Sequence, residues 1–246
     1  MIQRISGSFN MKKFVTFAIL GLFIFGVLFT IKKSIATFGV TSINSNDTQR
    51  EVNKKLVVID PGHGGFDPGK VGVNGTLEKD VNLSISLKLK KLLEKDGYQV
   101  IMTRETDTGL YSETDSNKKR TDMRKRVDII NNSGAVVAVS IHQNSFSQES
   151  SKGAQVFYHA MSENGKQLAE TIQEQVKADI NDGNHRVAKS NDSYYMLKKT
   201  QCPLVIVECG FLSNNTEAGL LIDDSYQNKI AGSIKKGILN YLKKNT

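Results

Sequence analysis

Tryptophan is absent from the 246 residues, aromatics make up only 7%, and cysteine occurs just twice. With so few aromatics, core bulk must come from Leu, Ile and Val. Two cysteines exclude a disulfide framework, and Cys209, set in an apolar run, is expected to be a buried thiol. No fixed-period repeat is visible, and there is no collagen-like, Pro-rich or prion-like tract. What is left is an ordinary globular composition, 39% hydrophobic and 24% charged. The length suits one α/β domain and an appendage.

Charge is unbalanced, at a formal +8. A basic surface favours polyanions, among them nucleic acid, anionic lipid and anionic wall polymers, without choosing between them. A lysine-rich, merely solvated surface would give the same number.

Residues 14–31, FVTFAILGLFIFGVLFTI, form an uncharged stretch between Lys12–Lys13 and Lys32–Lys33. A helix of that length spans roughly 27 Å, close to a bilayer core. It is long for the apolar region of a signal peptide, although Ser34-Ile35-Ala36 offers a cleavage site. Arg4, Lys12 and Lys13 favour a cytoplasmic N-terminal side, which puts the globular part outside. Residues 1–36 are therefore expected to be a signal or membrane-anchor segment, 37–55 a polar linker and 56–246 the folded domain. The implied location is extracytoplasmic, anchored or secreted.

From Leu56 onwards apolar runs alternate with helical spacing. LVVID at 56–60, AVVAVSI at 135–141 and LVIVE at 204–208 read as buried strands. Strands at 99–103 and 153–159 and helices at 77–92, 120–132, 164–180 and 225–242 complete the pattern. The fold class is α/β, a single domain with a mostly parallel twisted sheet flanked by helices. Ligand sites of such sheets lie beyond the carboxyl ends of the strands. His63, His142 and Glu208 all fall at that rim.

The loop at 60–71, DPGHGGFDPGKV, nearly fits a phosphate-binding loop, with Gly64, Gly69 and Lys70 in place. Val71, however, stands where a hydroxyl is required, Pro68 removes an N–H, and Asp67 opposes the phosphates. The dinucleotide glycine pattern fails at Asp67. No nucleic acid partner is expected either. A metal suits the loop better. Its glycines permit a tight turn, His63 projects from it, Glu78 sits in the first turn of the next helix, and His142 arrives from a neighbouring strand. Three N/O donors leave one position open, as catalytic zinc requires, and imidazoles favour zinc over magnesium. His159 and His185, among polar residues, are expected at the surface. Glu208 and Cys209 are adjacent on a strand and so point to opposite faces. An idle carboxylate at a strand end would be costly to bury.

The stretches VVIDPGHGGFDPG (57–69), EKDVNL (78–83), TRETD (103–107), RVDIINN (126–132), SIHQN (140–144), GAQVFYH (153–159) and VECGFLSN (207–214) resemble the zinc-dependent N-acetylmuramoyl-L-alanine amidases of the Amidase_3 family. The basic stretch at 103–126 and the plain architecture resemble, more narrowly, the germination-type amidases of spore formers. The resemblance implies one Zn²⁺ held by His63, Glu78 and His142, with Glu208 as the catalytic glutamate. The amide cut would join muramic acid to L-Ala in peptidoglycan, as a step in cortex maturation, and an activating protein partner is compatible with it. Asn144 and Arg186 are weaker candidates for substrate binding. Gln143 and Cys209 depart from the residues common at their positions, but neither removes a ligand. Lys118, Lys119, Arg120, Arg124, Lys125 and Arg126 either meet an anionic wall or form a solvated helix face. Rival readings are a non-catalytic peptidoglycan-binding or regulatory module and a zinc peptidase cutting within the stem peptide.

Overall fold

The computed structural model describes residues 53–180 and 183–245. The apolar segment at 14–31, and with it the expected anchor, lies outside the described residues. Among the described residues no helix is long and apolar enough to cross a membrane.

In chain order the elements are β1 (Asn53–Pro61), α1 (Glu78–Lys95), β2 (Gln99–Met102), α2 (Lys118–Ser133), β3 (Ala135–Asn144), β4 (Gln155–Tyr158), α3 (Glu163–Ile180), β5 (Lys189–Ser190), α4 (Tyr195–Lys199), β6 (Leu204–Phe211), α5 (Asn215–Leu220) and α6 (Asp224–Asn245). The six strands form one sheet in the order β2-β1-β3-β6-β4-β5. Neighbours are parallel except β4, which runs antiparallel to β6. The sheet is therefore mixed, which qualifies the expectation of a mostly parallel one. The connection at 145–154 carries no helix, and so short a link favours a reversal of direction over a parallel crossover.

Period-two alternation divides the strands between two cores. Val57, Ile59, Val137, Val139, Ile141, Val205, Val207 and Cys209 join one cluster, which packs on α1, α3 and α6. Leu56, Val58, Ala138, Leu204 and Ile206 join the other, beneath α2 and α4. Continuing the same parity puts Asp60, His142 and Glu208 on the α2/α4 side and Gln143 on the α1 side. Helix α1 buries Val81, Ile85, Leu89 and Leu93 at i, i+4 spacing. Its Glu78 sits in the first turn, where the helix dipole favours a carboxylate.

Boundaries differ from the sequence reading where polar residues hide a strand. β1 begins at Asn53 and so takes in the last three residues of the segment read as linker. β3 continues to Asn144 and β6 to Phe211 because the two pair up to Asn144–Phe211. His142 and Glu208 are thus inside strands near their carboxyl ends. β5, α4 and α5 are too short to carry a periodic signal.

Candidate active site

His63 takes up φ 61°, the only positive φ outside glycine among the described residues. A β-carbon in that region costs about 1–2 kcal/mol, and such strain tends to persist where the surroundings fix it. Here two buried arginines do so. Arg126 donates from Nη1 to Asp60 Oδ1 at 2.8 Å and to the Pro61 carbonyl at 2.7 Å. Its Nη2 donates to the His63 carbonyl at 2.6 Å, and its Nε to Asp122 at 2.6 Å. Arg104 donates to the carbonyls of Pro61, Gly62, Thr106 and Lys79. Burial and the Arg126 charge push its pKa down to about 10, so it remains a cation at neutral pH. Asp60 anchors the set and also accepts from Thr103 and Ser140, both at 2.6 Å. Burial alone would raise its pKa, but Arg126 and the two hydroxyls overcome that and hold it at about 2.

The loop so held delivers His63 to Glu78. His63 Nε2 lies 3.2 Å from Glu78 Oε2, and Nδ1 lies 3.0 Å from Asp67 Oδ2. His142 Nδ1 lies 3.0 Å from Glu78 Oε1. The two imidazoles meet edge to face, with centroids 5.0 Å apart. Donor atoms of His63, Glu78 and His142 all fall within 4.8 Å of one another. Glu78 is fixed further by backbone N–H groups of Lys70 (2.8 Å) and Gln143 (3.1 Å). Burial opposes its ionisation, yet the two histidines keep its pKa far below the carboxylate range. Burial likewise opposes the His142 cation, and Glu78 outweighs it, raising that pKa. Two glycines make room. A β-carbon on Gly62 would lie 2.2 Å from the His142 ring, and one on Gly69 would lie 2.5 Å from Glu78 Oε2.

Glu208 pairs directly across from His142 in the sheet. It is 8% exposed, and its Oε2 is buried without a hydrogen-bond partner. Burial is the main reason its pKa rises to about 7. Its carboxylate lines the same 530 Å³ cleft as His63, Glu78 and His142. Cys209 points into the opposite core, where burial pushes its thiol pKa up. Cys202, half-buried, has its pKa pushed up to about 12 by burial.

The donor set fits a zinc ion. Two imidazole nitrogens and a carboxylate converge on one point, and three donors leave a further position for water or substrate. With Asp67 accepting from Nδ1–H, His63 is left with Nε2 free to bind a metal, the usual orienting arrangement for a ligating histidine.

Asn144 also lines the cleft, its Oδ1 accepting from the Ser145 N–H at 2.8 Å. Arg186 is not among the cleft residues. Its guanidinium lies 4.6 Å from the Phe211 ring centroid and donates to Lys152 O and Gln155 Oε1. His185 is exposed, and His159 is partly exposed, 3.7 Å from Asp192. Arg126 does not belong to the basic face of α2, because it is buried under the loop. The sequence reading missed Asp60, Arg104, the orienting role of Asp67, and Tyr194 in the cleft wall. The signal for the first two was an Asp and an Arg placed where apolar strand residues end.

Two imidazoles and a carboxylate around one point, with a buried acid in the same cleft, are the arrangement a metal-assisted hydrolase would use. A family model described as Amidase_3, N-acetylmuramoyl-L-alanine amidase, matches residues 57–240, and the chain belongs to that family. It is 40% identical over 190 residues to the germination-specific N-acetylmuramoyl-L-alanine amidase of Bacillus subtilis, covering 76% of this chain and 79% of that protein. It is also similar to the solved structure of the CwlD amidase from Clostridioides difficile in complex with the GerS lipoprotein. That match has a TM-score of 0.74 and 44% identity, covering 77% of this chain and 98% of that one. AmiC2 of Nostoc punctiforme, another N-acetylmuramoyl-L-alanine amidase, matches with a TM-score of 0.68 and 35% identity, over 78% of this chain and 98% of that one.

Proposed function

We propose that this amidase is zinc-dependent, with His63, Glu78 and His142 as ligands and Glu208 as general base. It would hydrolyse the bond between N-acetylmuramic acid and L-alanine in peptidoglycan. The observation that carries this is the convergence of the three donors beside a buried carboxylate with no hydrogen-bond partner on one oxygen. A bound zinc ion supplies Lewis acidity, which activates water near neutral pH and polarises the scissile carbonyl.

The chain's own residues do the rest. Asp67 holds the His63 tautomer. Glu208, its pKa lifted towards neutrality by burial, takes the proton of the attacking water on a carboxylate oxygen. The water oxygen bonds to the carbonyl carbon, the C–N bond breaks, and Glu208 returns the proton to the leaving amine nitrogen. The products are free stem peptide and peptide-free glycan.

The likeness to germination-specific relatives supports a role in removing stem peptides during spore-cortex maturation. It also supports action outside the cytoplasm, and the uncharged apolar run at 14–31 supports a membrane anchor or signal there. The solved relative in complex with a lipoprotein supports a protein partner for this chain.

Glu208→Gln tests the assignment. It keeps the carboxylate's shape and should retain zinc while lowering peptide release from sacculi by roughly 10²–10⁴-fold. Wild-type turnover in that variant would remove Glu208 from the mechanism. Mass spectrometry of the products separates this bond from any within the stem peptide.

A further inference from the structure

The catalytic cleft is lined by two exposed lysines, Lys70 and Lys119, one of them without an ion pair among the described residues. Lys70 is held at the site by its backbone N–H, which donates to Glu78 Oε2. Its ammonium makes no ion pair among the described residues. Lys119 Nζ lies 3.4 Å from Asp67 Oδ2, with 66% of its side chain exposed. That carboxylate oxygen is also 3.0 Å from His63 Nδ1, so Lys119 shares it, and an ion pair this exposed is weak and open to exchange with another anion. Nearby lysines are otherwise committed: Lys79 to Asp107 and the Gly65 carbonyl, Lys118 to Glu113. Helix stability does not explain Lys119 either. The first turn of α2 contains no acid, and cations there oppose the helix dipole.

We propose that Lys70 and Lys119 form an anion subsite that recognises a carboxylate on the stem peptide, making the enzyme selective for peptides whose second residue bears a free carboxylate over those in which it is a carboxamide. The inference rests on the amidase reading above. Two ammonium groups at the rim of a concave site focus their field into it. An ammonium acts as a point charge that accepts a carboxylate in many orientations, which suits a flexible peptide. A phosphate of an anionic wall polymer offers the same charge, so the test must separate the two.

The full chain, zinc-loaded in detergent, is assayed on two soluble muropeptides that differ only in carboxylate or carboxamide at the second peptide residue. At low salt wild type should favour the carboxylate in kcat/KM by about 3- to 10-fold, as expected for one or two partly exposed charge contacts. The preference should shrink at high salt. Lys70→Met with Lys119→Met should bring the ratio to about one, and the paired Lys→Arg changes should preserve it. Lys70→Met alone leaves the Lys119–Asp67 contact in place and should shift the ratio the same way. Equal kcat/KM on the two substrates in wild type, or a preference that survives in the double Met variant, overturns the proposal. So does dependence on the lysines seen only with sacculi that retain phosphate polymers, which would assign the subsite to the wall. If zinc-loaded wild type cleaves neither muropeptide, the amidase reading fails and this inference falls with it.

Discussion

Arg126→Met is the most informative perturbation of the scaffold behind the site. The guanidinium is 2% exposed and holds Asp60, Asp122 and the carbonyls of Pro61 and His63 at 2.6–2.8 Å. Removing one partner of a buried ion pair costs about 3–5 kcal/mol, because the other charge is left uncompensated. That is a large share of the roughly 5–15 kcal/mol that stabilises a typical domain. The pH dependence supplies a signature. Asp60 has a folded-state pKa of about 2 against 3.8 ordinarily. A depressed carboxyl pKa contributes stability in full above the unfolded value and loses it as pH falls through the folded one. The gap corresponds to about 2 kcal/mol, lost between roughly pH 4 and pH 2. In the variant burial is no longer opposed by the guanidinium, so the Asp60 pKa rises and this acid limb flattens. The deficit against wild type should therefore be largest near neutral pH and narrow in acid. Urea denaturation across that range, with Asp60→Asn and the double variant completing the cycle, measures it. A deficit below about 1 kcal/mol, or one that does not change with pH, would refute the argument that this pair is the keystone of the loop.

Other variants test single contacts. Asp67→Asn should weaken zinc binding by about 10–100-fold, measured by chelator competition, because the His63 ring loses its orienting carboxylate; unchanged affinity would deny Asp67 that role. Gly62→Ala places a β-carbon 2.2 Å from His142 ring atoms, so zinc binding and activity should fall together while far-UV circular dichroism is retained. Arg186→Ala should lower stability by about 1–2 kcal/mol through the lost Phe211 stacking and its hydrogen bonds. It should leave kcat unchanged, and a selective loss of kcat would return Arg186 to the list of substrate contacts.

The layers and the ligand trio were legible in the sequence for a specific physical reason. Runs such as LVVID and LVIVE are buried on both faces and therefore uniformly apolar, and the first polar residue after each run marks the rim. Glu208 is visible by that rule, which after LVVI points to Asp60, and His63 follows three residues later in the glycine loop. The same rule cuts β3 and β6 short. SIHQN continues as strand to Asn144 and VECGF to Phe211 because their backbones pair with each other, and the Gly62 N–H donates to the Ile141 carbonyl alongside. Such pairing across the chain leaves no period in the sequence.

What was not legible is what makes the trio a site. Arg126 stood among six basic residues of the nine in KKRTDMRKR (118–126), and local sequence does not distinguish it from Lys125 beside it. The difference is one of helix face: Arg126 is buried and Lys125 exposed, and only the path of β1 turns that burial into three backbone and carboxylate contacts behind His63. The ligands are conspicuous because their chemistry is rare, whereas the arginines that position them use the most ordinary charge on the chain. Hence the sharpest test of the geometry is a substitution at Arg126, which touches no metal donor, and not another deletion of a histidine.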